Sequence, residues 1–233
     1  MNRRELKINH IPAMIWGDLS DKLFIAVHGD QSNKADIPIE VFAKAAVQKG
    51  FQVLSFDLPE HGDRKAEGTL CKVQNCVEEL HSIMEYAKKN WSHISLFANS
   101  MGTYFSLLTF RDERLDQCIF LSPLVDMERM ITNMMTWFTV SEARLQEEQK
   151  IATPIGKTLY WDYFTYVREH PVDKWDVPTA ILCGTEDDIC EYDTIDSFVK
   201  RFGANLERME GGEHYFHTEE QLTYFRLWLE KYV

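Results

Sequence analysis

Ser100 is the side chain in this sequence best placed to act as a nucleophile. It stands in Ala98-Asn99-Ser100-Met101-Gly102, where the apolar run His93-Ile94-Ser95-Leu96-Phe97 gives way to a helix-like run from Met101 to Leu108. A strand that turns at once into a helix forces the junction residue into a sharp turn. Its hydroxyl is then exposed and aimed at a helix N-terminus. The spacing small-x-Ser-x-Gly suits that elbow, with Ala98 where glycine is usual. A serine at a helix start can also be an ordinary cap. Acting as a nucleophile requires a base to take the hydroxyl proton and a third group to orient the base.

The elements that must position such groups alternate along the chain. Leu6–Asn9 and Ala13–Trp16 read as an opening hairpin, and Leu23–Val27 is a continuous apolar run expected of a strand buried on both faces. A helical pattern over 41–48 stops at Lys49-Gly50, and Phe51–Phe56 is the next strand. An amphipathic helix is predicted over 73–89, with Val77, Leu80, Ile83, Met84 and Ala87 on one face. The elbow strand and helix follow, then Cys118–Leu121. The alternation resumes at Thr179–Cys183, with helices near 194–202 and 219–231 and a strand near 205–209. Strands alternating with helices imply a doubly wound, parallel sheet. Between about 124 and 177 the rhythm breaks into helical patterns with no convincing strand, which reads as an inserted helical cap on a single domain spanning 1–233.

On such a sheet the partners of Ser100 belong on loops at the carboxyl ends of later strands. Ile181-Leu182-Cys183-Gly184-Thr185-Glu186-Asp187-Asp188 offers the acid, as Asp187 or Asp188. Of eight histidines only His214 and His217 lie beyond it, so one of them is the candidate base.

Composition narrows the partners. The chain has 233 residues, 45% hydrophobic and 12% aromatic, enough for one sizeable core. A formal net charge of −12 disfavours nucleic acid and anionic membranes. No signal peptide is evident at Met1–Lys7, and no apolar run approaches the ~20 residues of a membrane span. The expectation is a soluble, cytoplasmic protein without membrane insertion. The five cysteines lack metal-ligand spacing and read as reduced structural residues. The sequence sets no oligomeric state.

Five segments, taken in order, resemble the α/β-hydrolase superfamily, in particular its serine esterase and lipase-like members with a helical cap. His28-Gly29-Asp30 resembles the family's HG oxyanion loop, and Asp57-Leu58-Pro59-Glu60-His61-Gly62-Asp63-Arg64 its D-x-P-G-H-G-x-S segment. Ala98–Gly102, Gly184-Thr185-Glu186-Asp187 and Gly212-Glu213-His214 complete the set. The resemblance implies a mostly parallel eight-stranded sheet, Ser100 as nucleophile, Asp187 as acid and His214 as base. It also implies oxyanion donors at the backbone N–H groups of Asp30 and Met101, each contributing ~3 kcal/mol in the transition state. A carboxylate at Asp30 is a departure, because unpaired it would repel the charge developing there. The family pattern explains His28 and His61 as structural residues, with no metal and no cofactor. Met127, Met130, Met134, Phe138, Tyr160, Phe164 and Val167 have the spacing of cap helices packed on the core. The resemblance adds Met130, Met134, Phe138, Tyr160 and Phe164 as candidate acyl-site residues, since flexible methionines adapt to varied chains.

The implied activity is hydrolysis of a small-molecule carboxylic ester through an acyl-enzyme. Thioesterase, amidase and acyltransferase chemistry would use the same residues, and a hydrolase-fold receptor could retain them.

Overall fold

The computed structural model describes residues 1–233. The chain forms ten strands and eight α-helices. They are β1 (Arg3–Ile8), β2 (Ile11–Trp16), β3 (Lys22–Val27), α1 (Ile37–Gln48), β4 (Gln52–Phe56), α2 (Val73–Asn90), β5 (His93–Asn99), α3 (Met101–Phe110) and β6 (Cys118–Leu121). Then follow α4 (Met127–Trp137), α5 (Glu142–Glu148), β7 (Lys150–Ala152), β8 (Thr158–Tyr160), α6 (Trp161–Glu169), β9 (Thr179–Gly184), α7 (Tyr192–Phe202), β10 (Asn205–Met209) and α8 (Glu219–Tyr232).

Eight strands form one sheet in the order β1-β2-β4-β3-β5-β6-β9-β10. The β1–β2 and β2–β4 pairs are antiparallel, and every pair from β4 to β10 is parallel. This is the doubly wound, mostly parallel sheet that the alternation implied. Each central strand buries both faces because side chains alternate across it. In β3, Leu23, Ile25 and Val27 join the core under α2, α3 and α7, while Phe24 and Ala26 join the core under α1 and α8. Phe42 of α1 stacks on Phe97 of β5 at 4.1 Å.

Two boundaries differ from the sequence reading. Helix α1 begins four residues earlier than its apolar pattern, at Ile37, because the Asp36 carboxylate caps it and Pro38 fits the first turn. The stretch between β6 and β9 is also not all helix. Its three helices are interrupted by the antiparallel ribbon β7–β8, in which Lys150 pairs with Tyr160 and Ala152 with Thr158. Strands of three residues are too short to show a period of two. Helix α6 packs against α2 and α4, on the face of the sheet that carries α3.

Candidate active site

The elbow is built by crowding. Ser100 takes φ 50° and ψ −127°, a left-handed conformation costing a non-glycine residue ~1–3 kcal/mol. It is held by its own N–H donating to Leu121 O (3.2 Å) and by its carbonyl accepting from Leu124 N–H (3.1 Å). Small neighbours are obligatory here. A Cβ on Gly102 would lie 2.4 Å from His28 O, and one on Gly29 would lie 2.9 Å from Ser100 Cβ. That contact fixes the loop after β3, and with it Asp30, alongside the serine.

Two loops at the carboxyl ends of β9 and β10 carry the partners. His214 Nδ1–H donates to Asp187 Oδ2 at 2.8 Å, with Oδ1 at 3.0 Å, which leaves Nε2 to accept from Ser100 Oγ–H at 2.9 Å. The Asp187 carboxylate is fully buried and also accepts from Ile189 N–H (3.0 Å) and Cys190 N–H (2.8 Å). Asp188 makes no comparable contact, and His217 turns away, its ring at the Tyr215 carbonyl (2.8 Å). Gly184 and Gly212 bring the two loops together, since a Cβ on Gly184 would fall 1.9 Å from Gly212 O. Backbone bonds from Glu186 N–H to Gly212 O and from Thr185 N–H to Met209 O join them.

The Asp30 carboxylate does not stand free. It accepts from His61 Nε2–H (3.3 Å) and from the Lys157 ammonium (2.5 Å), which reaches it from the loop between β7 and β8. Burial opposes ionisation of Asp30, yet these two hydrogen bonds hold its pKa well below the usual carboxylate range. Burial likewise works against charge on His61, but Asp30, the Cys71 thiol and the Pro59 carbonyl raise its pKa to about 10. The pair of cations beside Asp30 removes the repulsion that an unpaired carboxylate would exert. The sequence points to Asp30 and His61 separately but not to Lys157 or to the cluster, because His61 and Lys157 lie 31 and 127 positions from Asp30 with no shared motif.

His28 and His61 differ despite sharing the triplet His-Gly-Asp. His28 donates from Nδ1 to Gly29 O (2.7 Å) and accepts Leu58 N–H at Nε2 (3.0 Å), and burial lowers its pKa to about 4. It is a neutral brace between the loops after β3 and β4. Below it, Asp57 accepts from the backbone and ammonium of Lys34 and from Asp63 N–H. Arg64 is buried and grips Glu79 with two bonds of 2.5 and 2.7 Å.

The other sequence candidates lie between β6 and β9. Met130, Met134 and Phe138 are partly buried against the core, Phe164 is buried within it, and the Tyr160 ring lies 4.0 Å beneath the Lys72 ammonium. A cleft of about 510 Å³ between α4, α6 and α7 is lined by Tyr104, Val125, Met127, Val167 and Phe198 among others, and by none of those five. As for metal, Asp187, Cys190 and His214 place three donor atoms within 4.8 Å of one another. However, Cys190 is kept protonated by burial and donates to Ser122 O, and His214 Nδ1 is turned to the carboxylate. The arrangement suits proton transfer rather than ligation.

A hydroxyl, an imidazole and a buried carboxylate in hydrogen-bonded line, on a doubly wound sheet with the hydroxyl at a strained strand–helix elbow, define a class, the serine hydrolases of the α/β-hydrolase fold. A family profile described as serine aminopeptidase, S33, matches residues 20–158, and the chain belongs to that family. No curated protein sequence matches it. Among solved structures, Est1E from Butyrivibrio proteoclasticus with ferulic acid bound is similar at a TM-score of 0.78 and 20% identity, covering 98% of this chain and 97% of that one. Alpha/beta hydrolase domain-containing protein 10 from mouse gives 0.76 at 14%, covering 99% and 98%. A monoacylglycerol lipase from Paleococcus ferrophilus gives 0.67 at 15%, covering 96% and 99%. At these identities the likeness is one of fold. No helix is long and apolar enough to cross a membrane.

Proposed function

We propose that this enzyme hydrolyses carboxylic esters with a small, apolar acyl group, through an acyl-enzyme on Ser100. The observation that carries the reading is the continuous line Ser100 Oγ–His214–Asp187, with bonds of 2.9 and 2.8 Å. His214 Nε2 takes the hydroxyl proton as Ser100 attacks the carbonyl carbon, and Asp187 stabilises the imidazolium. The tetrahedral oxyanion is received by the backbone N–H groups of Met101 and Asp30. His214 returns the proton to the departing alcohol, and water then releases the acid by the same steps. The chemistry draws on no cofactor.

Residues 124–177 act as the cap, tied over the oxyanion loop by the Lys157–Asp30 ion pair. Met130, Met134, Phe138, Tyr160 and Phe164 shape its apolar underside. The family's name raises an aminopeptidase reading, which requires an unpaired carboxylate to hold a substrate ammonium. Asp30, the carboxylate of the oxyanion loop, is already engaged by two cations.

The test is labelling with a fluorophosphonate probe, comparing the parent with Ser100→Ala and mapping the modified peptide, followed by rates on matched p-nitrophenyl butyrate, butyryl thioester and aminoacyl p-nitroanilide. Labelling confined to Ser100 with the ester turned over fastest is the expected result. A well-folded parent that resists the probe refutes the nucleophile, and preference for the anilide refutes the ester.

A further inference from the structure

Cys71 and Cys76 lie with their sulfur atoms 3.7 Å apart, in contact and unbonded. Their settings differ. Cys76 sits in the first turn of α2, fully buried, its N–H bonded to Lys72 O. Cys71 lies just before the helix, partly exposed, with its backbone N–H held by the Glu60 carboxylate at 2.7 Å. The remaining cysteines, Cys118, Cys183 and Cys190, are all buried.

The surroundings of Cys71 favour its thiolate. The Cys76 sulfur lies in contact with it at 3.7 Å, and the His61 imidazolium stands beside it. Together they outweigh burial and hold the Cys71 thiol below its ordinary pKa. Burial pushes Cys76 the other way and keeps it protonated. The N-terminus of α2 adds positive potential to the same spot. The result is an asymmetric pair, one cysteine partly exposed and favoured as thiolate, the other fully buried at its back.

We propose that Cys71 and Cys76 form a peroxide-reactive dithiol, in which Cys71 is oxidised first and Cys76 closes an intrachain disulfide. The Cys71 thiolate attacks one oxygen of hydrogen peroxide or an organic hydroperoxide, the O–O bond breaks, and the products are a sulfenic acid and hydroxide or alkoxide. Cys76 then attacks the Cys71 sulfur. The S–O bond breaks, hydroxide leaves and takes the Cys76 proton as water. For hydrogen peroxide the sum is two thiols and one peroxide giving one disulfide and two waters, with two electrons passing from sulfur to oxygen. Closure brings the sulfurs from 3.7 Å to about 2.0 Å, and Cys71 stands outside α2, ahead of its first residue Val73.

Lys72 separates the two cysteines, so trypsin places Cys71 in peptide 66–72 and Cys76 in peptide 73–88. The experiment treats the folded protein with a modest excess of hydrogen peroxide, blocks free thiols and maps the non-reduced digest. The expected result is a cross-linked pair of these peptides, abolished by dithiothreitol, while Cys118, Cys183 and Cys190 stay free. In Cys76→Ser, Cys71 is trapped as a dimedone adduct; in Cys71→Ser, Cys76 remains unmodified. Without peroxide, iodoacetamide at neutral pH labels Cys71 roughly tenfold faster than any other thiol. Attack elsewhere first, or an inert Cys71, overturns the proposal. Over-oxidation of Cys71 in the parent with no linked pair overturns the resolving role of Cys76.

Discussion

Substituting alanine for Gly184 tests whether the seam between the β9 and β10 loops sets the catalytic geometry. The added methyl would fall 1.9 Å from Gly212 O and 2.1 Å from its carbonyl carbon. Real contacts of this kind do not close below 3.0 Å, so the loops must part by about 1 Å. Both atoms struck are backbone, which cannot rotate away. Asp187 follows Gly184 by three residues and His214 follows Gly212 by two, so the displacement enters directly between His214 Nδ1 and the carboxylate. A misplacement of ~1 Å costs about 100-fold in rate. Loosening the bond from Glu186 N–H to Gly212 O removes ~1 kcal/mol of stability as well. The assay is kcat on p-nitrophenyl butyrate, with circular dichroism and a thermal melt to show that Gly184→Ala is folded. Gly68→Ala serves as the control, since nothing lies within 4 Å of its Cβ. A folded Gly184→Ala enzyme with unchanged kcat would refute the reasoning.

Three further outcomes are expected. Asp187→Asn keeps the fold and the bonds from Ile189 and Cys190 but presents the wrong tautomer of His214, lowering kcat by about 10⁴ on the same ester. His61 has a folded pKa of about 10 against an ordinary 6.5, so its stabilisation is complete below pH 6.5 and disappears as pH rises toward 10. The amount is at most on the order of 5 kcal/mol, and urea unfolding across that window shows a decline in the parent that His61→Gln lacks. Arg64→Ala strands the Glu79 carboxylate beside a fully buried position and destabilises by about 3–5 kcal/mol in chemical denaturation. The double variant Arg64→Met, Glu79→Leu recovers most of that loss.

Much of the sheet was legible because its strands are buried on both faces and appear as unbroken apolar runs. Leu23–Val27 and Thr179–Cys183 needed no partner to be recognised. The start of α1 was not, because a cap and a proline set it rather than the apolar pattern. The ribbon β7–β8 escaped for a similar reason, since Lys150-Ile151-Ala152 and Thr158-Leu159-Tyr160 bury only one side chain each. At the site, chain order and turn glycines pointed to Ser100, the Asp187 loop and His214, and the structure brings those side chains into hydrogen-bonding line. The charge state of Asp30 could not be read, because it depends on Lys157 arriving from the insertion. A neighbour supplied by tertiary structure leaves no trace in local spacing.

The three residues of that line follow β5, β9 and β10, so Ser100 and His214 are 114 positions apart. During synthesis the elbow can form once β3, β5 and β6 have paired, while nearly half of the chain is still to be made. Such a nascent protein holds a strained serine with nothing to deprotonate it. The hydrogen-bonded line closes only when β9 and β10 dock in parallel on the sheet, among the slow, long-range steps of folding. On the role proposed for Ser100, hydrolytic activity would therefore report completion of the whole sheet.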